Sequence, residues 1–159
     1  MDFYTNMALL LKGFGQRIGL DLSELDLSDD YFGLAVNKSK VLDIILLPQR
    51  LGCVFHMAFQ RPAACLQTDD PAELSHRLAF LLGANVMLLG AAGAALGYEE
   101  ESGTVSLSMN YDLPEVVNEL ALETFVSRIE TFLDTFDRWS QYVEQEPSVS
   151  VDLHSMLNV

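Results

Sequence analysis

The sequence predicts an α/β protein of the α+β kind: a helix, three antiparallel strands, a helix, a strand hairpin and a long C-terminal helix. Three observations carry that expectation. Apolar residues recur at helical spacing near both ends and once in the middle. Between those stretches they alternate with period two, and polar runs rich in turn-forming residues separate the blocks. With 159 residues, half of them apolar, the chain is long enough for one domain with a sizeable core. That domain is expected over 1–146. Residues 147–159 lose the pattern from Pro147 onward and read as a C-terminal tail.

The first helix is expected from about Tyr4 to Ile18, with Met7, Leu10, Leu11, Phe14 and Ile18 on one stripe and Gly19 as its C-cap. The loop GLDLSELDLSDDY follows. Its acids lack the spacing and central Gly of an EF-hand, so it reads as solvated charge rather than a calcium site. Next, Phe32, Leu34 and Val36 alternate, NKSK turns the chain, VLDIILL runs to Leu47, PQRLG turns again, and CVFHMAF runs from Cys53 to Phe59. In the middle strand Leu42, Ile44 and Leu46 share one face, and Val41, Ile45 and Leu47 share the other. A strand apolar on both faces is either sandwiched or available to a partner.

Residues 78–98, LAFLLGANVMLLGAAGAALGY, carry no charge and have the length of a membrane span. Asp70, Pro71 and Glu73 mark a helix start as N-cap, first and third helical positions. Leu74, Leu78, Leu81, Leu82, Leu88 and Leu89 then form a stripe, interrupted by Asn85, which lipid could not easily satisfy. Past Gly90 and Gly93 the period changes. Ala94, Leu96 and Tyr98 alternate, Glu99 to Gly103 turns, and Val105, Leu107, Met109 and Tyr111 alternate again. The window is therefore a helix followed by the first strand of a hairpin.

Opposite the leucine stripe lie Ala79, Phe80, Gly83 and Met87, also uncharged, and a helix apolar all round is buried all round. Either other helices of the chain or a second copy covers it. The second copy is the more economical cover, so a homodimer through Ala79, Phe80, Gly83 and Met87 is expected. The last helix, from about Asn118 to Val143, places Leu122, Phe125, Ile129, Phe132, Phe136, Trp139 and Val143 on one stripe suited to packing on a sheet.

The formal net charge is −14, which opposes binding to nucleic acid or to an anionic membrane and favours a basic or amphipathic polypeptide. Cys53 and Cys65 lack CxxC spacing and are expected to be reduced thiols in a cytoplasmic protein. MDFYTNMALLLKGFG lacks the features of a signal peptide, and Asn37–Lys38–Ser39 is then a sequon without meaning. No nucleophile or metal signature is present. GFGQRIG has GxGxxxG spacing inside a helix, not the phosphate-loop pattern. His56, His76 and His154 have no ligand partners at metal spacing. Neither an enzyme, a cofactor nor a metal is expected.

LLKGFGQRIGL in the first helix, LLGANVMLLGAAGAALGYEEESGTVSL in the middle and ETFVSRIETFLDTFDRW at the end, in that element order, resemble the CesT/SycE-like (class I) effector chaperones of bacterial type III secretion. The likeness covers roughly residues 5–143. It implies a cytoplasmic, non-enzymatic homodimer that holds an N-terminal segment of a secreted effector in extended form and keeps it soluble. It also implies that the second helix makes the dimer contact, and that the first helix and three-stranded part hold the client. Carried over residue by residue, Leu10, Phe14, Leu34, Val36, Ile44 and Leu46 would line the client grooves, with plain core packing as the alternative for each. A regulatory protein that sequesters another factor and couples secretion to transcription is the second reading. A subunit of a larger assembly is the third.

Overall fold

A computed structural model of the chain describes residues 2–36, 40–59, 63–86 and 90–144. Its elements are α1 (Phe3–Ile18), β1 (Tyr31–Ala35), β2 (Val41–Leu47), β3 (Gly52–Ala58), α2 (Pro71–Gly83), β4 (Ala95–Glu99), β5 (Thr104–Asp112) and α3 (Glu119–Val143). The five strands form one antiparallel sheet in the order β1-β2-β3-β5-β4. The expected α+β order is the observed one. Among the described residues, no helix is long and apolar enough to cross a membrane.

Local chemistry sets the boundaries. The Asp2 carboxylate accepts the Thr5 N–H at 2.8 Å and opens α1, and Gly19 closes it in the left-handed region at φ 74°. Asp70 does the same for α2 by accepting the Ala72 N–H at 2.9 Å, with Pro71 at the first helical position. α2 ends at Gly83, short of the stripe drawn to Leu89, and Ala84 and Asn85 lie in a turn. Met87, Leu88 and Leu89 lie outside the described residues, as do the sequon Asn37–Ser39 and the tail 147–159.

Contacts divide the chain into two compact units. The first comprises residues 1–55 and 110–131. Met7, Leu10, Leu11 and Phe14 of α1 are buried there, as are Leu42, Ile44 and Leu46 of β2. Phe125 is its aromatic centre, meeting the rings of Tyr111, Phe55 and Phe14 at centroid distances of 5.1, 5.8 and 6.4 Å. Gly13 lets α1 approach α3, because a Cβ there would sit 2.8 Å from Leu122 Cδ2. Arg17 and Glu119 form an ion pair between the same two helices.

The second unit comprises the described residues within 56–109 and 132–144. Phe59 stacks on Phe136 with centroids 4.3 Å apart. Leu81, Leu96, Val105 and Leu107 are buried, and the Trp139 indole N–H donates to the Gly90 carbonyl at 3.0 Å. That bond satisfies the one polar atom of a fully enclosed indole.

Candidate functional site

The hairpin β1–β2 has two different sides. Its register pairs Phe32 with Ile44 and Leu34 with Leu42, and these side chains face the core. The alternate pairs, Tyr31 with Ile45, Gly33 with Asp43 and Ala35 with Val41, face outward. Val41 keeps 46% and Ile45 38% of their surface exposed, one on either side of Asp43 along the strand. The Tyr31 ring lies over Gly33, whose missing Cβ would meet the phenol oxygen at 2.8 Å. The Tyr31 hydroxyl donates to Asp43 Oδ1 at 2.6 Å, and this bond holds the phenol proton on by raising its pKa. The outer side thus sets Val41, Ile45 and one anchored aromatic ring around the Asp43 carboxylate.

The edge of β1 is as informative as its face. The Leu46 N–H donates to the Asp30 carbonyl at 2.8 Å, and the Val36 N–H donates to the Lys40 carbonyl at 3.0 Å. Even-numbered residues of β1 therefore bond to β2. Tyr31, Gly33 and Ala35 direct their N–H and C=O groups to the outer edge of an edge strand. Such a row can template an incoming extended segment.

Beside this edge runs the acidic loop. Asp21 and Asp26 each accept the N–H of the serine two residues on, Ser23 and Ser28, at 2.9 Å. Those bonds hold both carboxyls below the ordinary range. A groove of about 540 Å³ is lined by Leu22, Glu24, Leu25 and Phe32, and a second of about 430 Å³ by Tyr4, Ala8, Leu25 and Leu27. Leu25 lies on both. The Tyr4 hydroxyl donates to Asp30 Oδ1 at 2.8 Å.

Of the residues singled out from sequence for client contact, Leu10, Phe14, Leu34, Ile44 and Leu46 are buried, and Val36 is exposed. The reason is the pleat. The inward face of β2 is Leu42, Ile44 and Leu46, and the outward set is Val41, Asp43, Ile45 and the half-buried Leu47, with Asp43 the one polar mark of that face. Tyr31 was missed because its partner Asp43 is seen only in the folded register.

On α2, Ala79 and Gly83 are exposed together with Leu82 and Val86, while Phe80 is half-buried against Trp139 and Tyr142 at centroid distances of 5.9 and 5.1 Å. A Cβ on Gly83 would meet nothing within 4 Å. Arg77 ties this helix down by pairing with Glu73 and donating to the Cys65 carbonyl at 2.7 Å. Both cysteines are buried free thiols, and burial pushes Cys53 up to about 12 and Cys65 up to about 11. They are poor nucleophiles and poor metal ligands. Among the described residues, no group of His, Cys, Asp and Glu could hold a metal ion.

Three helices and a five-stranded antiparallel sheet make an α+β fold. The chain belongs to the Tir chaperone protein (CesT) family, whose family model matches residues 9–140. Its fold is shared with the ExsC–ExsE complex, at a TM-score of 0.66 and 19% identity, covering 90% of this chain and 97% of that one. It is shared also with the HopA1–SchA chaperone–effector complex, at a TM-score of 0.58 and 17% identity, covering 89% and 93%. No curated protein sequence matches the chain.

Proposed function

We propose that the protein is a cytoplasmic, non-enzymatic type III secretion chaperone. It holds an N-terminal segment of a secreted effector in extended form and keeps that effector soluble and competent for export. Membership of the CesT family supports the class. The observation that carries the binding mode is the outer side of β1–β2, where Tyr31, Val41 and Ile45 are exposed beside the outward-facing backbone groups of Tyr31, Gly33 and Ala35. An extended segment added there gains main-chain hydrogen bonds and seats alternate side chains on the strip. Ordering it costs entropy, so further contact on the Leu25 grooves raises the area to a useful size. The six residues Leu10, Phe14, Leu34, Val36, Ile44 and Leu46 serve this surface from behind or beside, as the packing that fixes its shape.

A second copy covers α2 in this reading, through Ala79, Leu82, Gly83 and Val86, with Phe80 at the margin and Met87 beyond the described residues. Gly83→Glu sets a charge on that contact and should halve the mass seen by light scattering. An unchanged mass would place the dimer contact elsewhere.

The test of function is purification of the protein from its native bacterium with mass spectrometry of what accompanies it, in parallel with Ile45→Asp. The reading expects a secreted protein, captured through its N-terminal segment, with wild type and not with the variant. A transcription regulator captured in its place would shift the role to coupling secretion with gene expression. Equal capture by wild type and variant would remove the β1–β2 strip as the site.

A further inference from the structure

The far edge of the sheet is finished in another way. β4 is the edge strand beyond β5, and Asn85 stands beside it in the turn after α2, its own N–H donating to the Leu82 carbonyl at 3.1 Å. The Asn85 side-chain Nδ2 donates to the Leu96 carbonyl, and its Oδ1 accepts the Leu96 N–H, both at 2.7 Å. One carboxamide thus takes the donor and the acceptor of one backbone residue. That is the pairing an opposing residue of an antiparallel strand would offer. Because Leu96 spends both groups on Asn85, it faces away from β5, and Tyr98, two residues on, shares that orientation. The Leu96 half of the β4 edge is therefore already occupied by a side chain that imitates a strand.

We propose that Asn85 is an edge-closing residue. Its carboxamide keeps the β4 edge from pairing with the β4 of a second copy, which would otherwise join two sheets into one. An identical antiparallel strand is the natural partner of an uncapped edge, since every chain brings one at the same concentration. β4 is short, and of its two outward-facing residues Leu96 has Asn85 as its guard, while Tyr98 is followed directly by Glu99, which limits the rest of the edge. The closure rests on two hydrogen bonds within this chain, independent of what the chain binds.

The experiment compares wild type with Asn85→Ala and Asn85→Ser, neither of which can reach both Leu96 groups. Sedimentation over a wide concentration range gives the mass, and amide exchange followed by NMR gives protection at Leu96. The expected result has two parts. In dilute variant the Leu96 amide exchanges roughly tenfold faster, as loss of one hydrogen bond implies. At high concentration the mass rises to at least double that of wild type, and Leu96 protection returns. Adding Gly83→Glu should leave this extra association in place, which separates it from any contact through α2. Variants that keep native circular dichroism and the wild-type mass at every concentration would overturn the proposal. So would loss of folding in both, which would assign the two bonds to stability instead of edge control.

Discussion

The hairpins β1–β2 and β4–β5 are built alike and finished differently. Each pairs an edge strand with an inner one, and each sends one set of side chains to a core: Leu34 and Leu42 in the first, Leu96 and Leu107 in the second. On the other side the first hairpin carries Tyr31, Gly33, Ala35, Val41, Asp43 and Ile45, whereas the second carries Ala95, Gly97, Ser106 and Ser108. The first keeps exposed Tyr31, Val41 and Ile45 around Asp43, beside the outward backbone groups of β1. The second shows small and hydroxyl side chains beside an edge that Asn85 already bonds. An unprotected edge invites pairing with any strand, so a side-chain bond at one margin confines that hazard to the other.

The sharpest way to break this comparison is to place the same change on the two sides of β2. Ile44 is fully buried, so Ile44→Asp leaves an unpaired carboxyl in the core, should cost about 4 kcal/mol or more, and should abolish the folded circular dichroism signal. Ile45→Asp, one residue on, should cost within about 1 kcal/mol and keep the fold. Equal losses would mean that the outer side is core as well. In the second unit, Trp139→Phe removes the bond to the Gly90 carbonyl and part of a buried ring, a loss of about 1–3 kcal/mol by urea unfolding. Asp70→Ala removes the α2 cap and should cost about 1 kcal/mol by the same measurement.

Two smaller effects follow from the titratable groups. Cys53 and Cys65, with thiols near 12 and 11, should resist iodoacetamide at neutral pH until the chain is unfolded, and rapid labelling of native protein would show that either is exposed. Asp2, Asp21 and Asp26 have folded values lowered by hydrogen bonds from Thr5, Ser23 and Ser28. A lowered folded pKa contributes stability that is present above the ordinary value of 3.8 and is lost as pH falls through the folded value. Melting temperature should therefore decline on acidification below that point, and carboxylate NMR titrations should place these three below it.

Much of the fold was legible because its signals are local. Asp70–Pro71–Glu73 and Gly19 mark helix ends by chemistry confined to one turn, and alternation in β2 and β5 needs only neighbouring residues. The site was less legible because its signals are relational. Val41 and Ile45 are as apolar as Leu42 and Ile44, and only Asp43 between them marks theirs as the outward face. The turn after α2 depends on a relation of the same kind. Asn85 interrupts the leucine stripe, but only the folded β4 shows that its carboxamide belongs to Leu96. The tyrosine laid over Gly33 likewise requires the register of the hairpin before it can be seen.

The central claim is that the outer side of β1–β2 receives an extended segment of a secreted protein. It is tested most directly by amide exchange of the purified protein with and without the effector segment that copurifies with it. The account predicts slowed exchange at Tyr31, Gly33 and Ala35, with no change at Leu96, and loss of that protection in Ile45→Asp. Protection confined to other elements, with β1 exchanging as in the free protein, would contradict it.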